Sequence, residues 1–173
     1  AGGASAPGTP AVVATQTGTT GPIPGPIAGV LGVWRSDSGR VYDAVAVGGG
    51  VELRVRDPEQ LAGQGYEKGE ARFVLSPIPG DLSLLAVEDR VRPLPPERTS
   101  YDEARARPTC LVTWTEVGAK PLRARLDGDR LTVEMVLLQA DRSSFVVERG
   151  RVVRCQGLGR ARVSEVKSVL VRQ

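Results

Sequence analysis

Leu122-Arg123-Ala124-Arg125-Leu126-Asp127-Gly128-Asp129-Arg130-Leu131-Thr132-Val133-Glu134-Met135 decides how the rest of the chain is read. Apolar and polar residues alternate, the chain turns over Asp-Gly-Asp, and the alternation resumes. Strand side chains point to opposite faces in turn, so Leu122, Ala124 and Leu126 share one face. Leu131, Val133 and Met135 share the matching face of the returning strand. Asp-Gly is favoured in tight hairpins because glycine accepts positive φ. Two registers stay open. With Gly128-Asp129 at the centre, Leu126 faces Leu131 and Arg123 faces Glu134. Centring the turn on Asp127-Gly128 keeps the faces and changes the partners.

The same pattern spreads outward in both directions. Val51, Leu53 and Val55 alternate with Glu52, Arg54 and Arg56, and Val41 to Val47 reads as a neighbouring strand. Gly48-Gly49-Gly50 is a turn between them. It lacks the helix, lysine and hydroxyl that a phosphate-cradling loop needs. Ala71 to Leu75 is a strand ended by Pro77-Ile78-Pro79-Gly80, and Leu82 to Val91 is a strand with a short helix as the competing reading. The polar loop 57–70 carries Tyr66, which either packs that loop onto a barrel mouth or meets a ligand. Residues 92–109, rich in proline and charge, form a surface excursion rather than a domain boundary. Cys110, Val112 and Trp114 then share a strand face. Phe145 to Val147 and Arg151 to Arg154 form one interrupted strand or two. Arg162 to Val171 is rich in β-branched residues, which favours a strand over a terminal helix.

The expected architecture is therefore all-β: an antiparallel meander closing into an eight- to ten-stranded barrel over residues 30–173. Residues 1–29 are of another kind, with no charge and much Pro, Gly, Ala and Thr, and read as a flexible tether. The chain has 173 residues, enough for one substantial core. No run of apolar residues is long enough for a transmembrane helix.

Composition removes several chemistries. There is no histidine, so no Ser-His or Cys-His nucleophile can form, and the commonest zinc ligand is missing. No metal site and no cofactor are expected. The net charge of +3 comes from 20 Arg and 3 Lys against 20 acidic residues, without a basic patch. Nucleic acid is therefore not an expected partner. Asp127 and Asp129 flank a turn glycine and read as turn residues rather than a catalytic carboxylate pair. Enzymatic activity is not favoured, and a carboxylate-dependent enzyme is the third reading. Cys110 and Cys155 are expected to pair as a disulfide in an oxidising compartment, with separate buried thiols as the alternative in the cytoplasm.

Trp34, Tyr42, Phe73 and Trp114 are the candidates for lining a cavity, against plain packing. Val136 and Leu138 make their strand apolar on its second face. They are the candidates for a partner surface, against contact with a neighbouring element.

Gly32-Val33-Trp34 followed by this meander resembles the Gly-x-Trp start of a lipocalin-like (calycin-type) barrel, over about residues 30–156. The resemblance implies that Trp34 closes one barrel end and that Gly32 permits close strand entry. It also implies an arginine late in the barrel packed on that tryptophan, with Arg149, Arg151 and Arg154 as candidates. The excursion at 92–109 and the strand-like segment after 156 then stand as additions. The expected function is a non-enzymatic binding or scaffold module of a bacterial cell-envelope assembly, its partner another envelope protein. The alternative is a lipocalin-like carrier of an apolar small ligand. The expected setting is periplasmic, cell-surface or secreted, including tethering through an N-terminal lipid anchor outside this chain.

Overall fold

The computed structural model describes residues 25–58, 66–93, 112–113, 120–140, 142–149 and 151–173. A short helix, α1 (Gly25–Ala28), precedes β1 (Gly32–Ser36), β2 (Val41–Val47), β3 (Gly50–Val55), β4 (Ala71–Ile78) and β5 (Asp81–Val91). There follow β6 (Val112–Thr113), β7 (Leu122–Asp127), β8 (Arg130–Gln139), β9 (Phe145–Glu148), β10 (Arg151–Cys155) and β11 (Arg162–Arg172). Strands β1 to β5, β7, β8 and β11 pair antiparallel in that order, and β11 returns to β1, so eight strands close a barrel. Closure removes the free sheet edge wherever the ladder is complete.

The central hairpin chooses between its two registers. Leu126 lies opposite Leu131 and Asp127 opposite Arg130, which makes Gly128-Asp129 the turn centre. Gly128 has φ 61°, the positive value that a two-residue II′ turn needs at its first central position. The Arg123–Glu134 contact is not a side-chain ion pair, however. The Arg123 main-chain N–H donates to Glu134 Oε1 at 2.8 Å.

Strand β3 follows its alternation, with Val51, Leu53 and Val55 inside. Strand β5 is a strand throughout, so the competing helix at Leu82–Val91 does not form. Its alternation is blurred because β5 begins at a hairpin tip, where Leu82 is 79% exposed. Strand β4 runs on through Pro77 to Ile78, with the ladder to β5 irregular at that point.

Three expectations are revised. The segment 162–172 is not an addition; it is the eighth barrel strand, pairing β8 along its length and β1 at its end. Conversely, β9 and β10 form a separate two-stranded sheet, inserted between the last two barrel strands. The packed chain also starts before residue 30. Ile27 on α1 and Val30 are fully buried, because their side chains close the barrel end at which β1 begins. The tether's residues 1–24 lie outside the described residues. Of the strand expected around Cys110 to Thr115, only Val112–Thr113 is described as strand, paired with Arg90 and Val91 of β5.

Candidate functional site: a filled barrel and an open strand edge

One end of the barrel is closed by Trp34. Its ring is fully buried, and its Nε1–H donates to Val30 O at 2.6 Å. The Arg172 guanidinium lies 4.4 Å over that ring. Nη1 of Arg172 donates to Leu31 O at 2.9 Å, and Nη2 to Gly29 O. Asp129 Oδ1, in the β7–β8 turn, accepts from Arg172 Nε at 3.2 Å. A planar guanidinium is suited to this task, since it stacks on a ring while its fork binds several acceptors. The late arginine implied by the lipocalin-like start is therefore Arg172, not Arg149, Arg151 or Arg154. Those three lie in or beside the β9–β10 hairpin, which is not part of the barrel wall.

Above Trp34 the interior is packed side chain on side chain. Tyr42 and Phe73 meet edge to face, with ring centroids 5.9 Å apart, and both are buried. Leu53, Leu75, Leu85, Leu131, Val133 and Leu170 complete one continuous cluster with them. Three of the four aromatic candidates are thus brought together as barrel core. Trp114 lies outside the described residues.

The far end holds a polar plug. The ladder between β3 and β4 shifts at Leu53/Arg54, where Arg54 pairs with Ala71 and Leu53 with Phe73. The extra residue is Arg72. A bulge of this kind turns its side chain out of strict alternation, and Arg72 is only 2% exposed. Its guanidinium forms an ion pair with Asp89, which is 0% exposed. The contact with Asp89 Oδ1 is ionic rather than an aligned hydrogen bond. Arg72 Nη1 also donates to Arg90 O at 3.2 Å.

Phe73, Arg72, Tyr66 and Arg92 then alternate ring and guanidinium. Arg72 lies 4.6 Å over Phe73 and 5.3 Å over Tyr66, and Arg92 lies 5.3 Å over Tyr66. The Tyr66 hydroxyl donates to Arg90 O at 2.5 Å and accepts from Arg92 N–H at 3.1 Å. Glu70 pairs with Arg92. Tyr66 thus takes the loop-packing role of its two expected roles.

Asp89 has a second task. By the register of β7 on β8, the ladder would continue past Leu122, but β7 starts there. Val136 N–H, on that side of β8, instead donates to Asp89 Oδ2 at 2.8 Å. A carboxylate oxygen takes the place of a missing strand carbonyl. This also corrects the partner-surface expectation. Val136 is 0% and Leu138 3% exposed, and both belong to the core cluster. Their apolar second face meets the rest of the protein rather than solvent.

Burial holds the Tyr66 and Tyr42 hydroxyls above their usual range, against the pull of the nearby Arg72 charge. The folded state therefore keeps these protons at a pH where the unfolded chain, with a tyrosine value of 10.0, has begun to release them. Their contribution is complete below the unfolded value and is lost as pH rises through the folded one. Urea midpoints measured on the alkaline side should fall with pH. The fall should be shallower in Tyr66→Phe, whatever that variant's starting stability.

The exposed apolar residues lie elsewhere. β1 ends at Ser36, and it pairs β11 only at Leu170, Val171 and Arg172. From Arg162 to Val169, β11 pairs β8 on one side and no described strand on the other. Val163 and Val166 on this stretch are 42% and 37% exposed.

Among the described residues no group of acidic or sulfur side chains is arranged to hold a metal, and no helix is long and apolar enough to cross a membrane. Cys155 ends β10, on the inserted hairpin rather than on the barrel wall, and Cys110 lies outside the described residues. The chain matches no family model, no curated protein and no solved structure.

The residues that sequence reasoning passed over are Arg72, Asp89 and Arg172. Arg172 carried a readable signal, since it ends the last strand-like run. Arg72 and Asp89 sit among many surface charges, and only the bulge singles them out.

Proposed function

We propose that this chain is a non-enzymatic binding and scaffold module of a bacterial cell-envelope assembly, built on a lipocalin-like barrel. The packing of the described core residues supports this reading. Trp34, Tyr42, Phe73 and their apolar neighbours pack through the centre, and a buried ion pair stands at the far end. An apolar cargo would have to displace both, and leaving Arg72 or Asp89 desolvated without its partner is costly. The likeness to lipocalins rests on Gly32, Trp34 and the arginine stacked on it.

The extracytoplasmic setting rests on the charge-free, Pro- and Gly-rich residues 1–29 and on a proposed Cys110–Cys155 disulfide. Such a bond would tie the chain just after the 92–109 excursion to the β9–β10 hairpin, which lies outside the barrel wall. Carriage of an apolar ligand remains the second reading, because the closed end built on Trp34 and Arg172 is what a carrier of this architecture would also have.

Native mass spectrometry of protein purified without denaturant separates the two. We expect the bare chain, no saturable uptake of a fluorescent fatty acid, and a gain of two hydrogens on reduction. A retained apolar molecule or one-to-one fatty-acid uptake would sink the scaffold reading. An unchanged mass on reduction would remove the disulfide.

A further inference from the structure

We infer that the free edge of β11 pairs antiparallel with the same edge of a second copy of this chain. The inference rests on the protein-binding reading above and names the partner. Main-chain directions come first. Arg172 N–H donates to Asp129 O, on the β8 side, and Gln173 N–H donates to Val33 O, on the β1 side. Main-chain groups alternate along a strand. Even-numbered residues of β11 therefore turn their N–H and C=O toward β8, and odd-numbered ones toward β1. Beyond Ser36 there is no β1, so Val163, Glu165, Lys167 and Val169 direct theirs at an open edge. An exposed edge of this kind is a template for another strand.

The side chains say which strand. The open stretch reads Val163-Ser164-Glu165-Val166-Lys167-Ser168-Val169. Read backwards it is the same, except that Glu and Lys exchange. Two copies related by a twofold axis at Val166 place Val163 opposite Val169, Ser164 opposite Ser168, and Glu165 opposite Lys167, each pair occurring twice. Directly opposed residues then share a face, as an antiparallel sheet requires. The hydrogen-bonded pairs fall on the odd residues, whose main-chain groups face no described strand, and Val166 meets its own copy at a non-hydrogen-bonded position. Shifting the axis to Glu165 sets two carboxylates against each other, and shifting it to Ser164 sets Glu165 against Val163. The complementarity is specific to Val166. The Glu165 carboxylate also accepts from Lys120 of its own copy at 3.4 Å, and both groups are exposed. The result is an isologous contact that continues the sheet from one barrel into the next.

Charge exchange and cross-linking test this together. Sedimentation of the wild-type chain should show a monomer–dimer equilibrium over the micromolar to millimolar range. Lys167→Glu turns two attractive pairs repulsive and should weaken association at least about tenfold. Combining it with Glu165→Lys should restore the wild-type value. Opposed residues at a non-hydrogen-bonded position have Cα atoms about 4.5 Å apart, within disulfide reach. Val166→Cys should therefore give a covalent dimer on mild oxidation, and Ser164→Cys should not. A chain that stays monomeric throughout overturns the proposal, including when its edge takes a strand from another protein. So does a dimer indifferent to Lys167→Glu, or one cross-linked better through position 164 than 166. None of these outcomes bears on ligand uptake, so failure here is distinct from failure of the scaffold reading.

Discussion

Trp34→Ala is expected to lower the unfolding free energy by about 3–5 kcal/mol, as read from urea titrations followed by circular dichroism. Losses of this size follow when a large buried ring leaves a space its neighbours cannot fill. Here the loss extends further, since the ring is the platform for the Arg172 guanidinium and donates to Val30 O. Without it, Val30 O loses its donor, and the arginine that bonds Gly29 O and Leu31 O loses its platform. Trp34→Phe keeps a ring and gives up the indole donor, so it should fall between the two. A loss below about 1 kcal/mol for alanine would mean that Trp34 does not hold the closed end.

Asp89→Ala is expected to cost about 3–5 kcal/mol in the same measurement, the range for removing one partner of a buried ion pair. Two groups are stranded at once. Arg72 keeps its charge with almost no access to water, and Val136 N–H loses its acceptor. Asp89→Asn retains an oxygen for Val136 and removes the charge, so it should cost less than alanine. Adding Arg72→Met to Asp89→Ala should recover much of the loss, because the unpaired guanidinium is then gone. The part that is not recovered belongs to Val136. Hydrogen exchange at that amide should be faster in both the single and the double variant. If the double variant is no more stable than the single, the pair is not the source of the effect.

What the sequence discloses and what it conceals follows from the period of the pattern. β3 and the β7–β8 hairpin were legible because Val51, Leu53, Val55, Leu126 and Leu131 obey strict alternation and Gly128 marks the turn. The hairpin register was not, since both choices keep the same faces; the backbone of Gly128 decides it. The plug was hidden because Arg72 enters the barrel through a one-residue irregularity, which period-two reasoning cannot anticipate. Val136 and Leu138 looked like a surface because a buried outer face and a sticky one have the same composition. The segments 145–155 and 162–172 exchanged roles for a related reason. Both are β-compatible, and only pairing to β1 distinguishes a barrel strand from an inserted hairpin. That exchange also moved the tryptophan's arginine to the end of the chain.

The meeting of β1 with β11 has a consequence for how the protein is made. Arg172 reaches the carbonyl of Gly29 across 143 positions. During synthesis the first strand emerges early, yet its closing partner is the last of the eight barrel strands to leave the ribosome. No N-terminal portion can seal Trp34 from water by itself. Contacts this distant along the chain fold slowly, because loop-closure entropy precedes any gain from pairing. The barrel therefore closes only after β11 has emerged, and a nascent chain stalled before residue 162 stays open to proteases however long it waits.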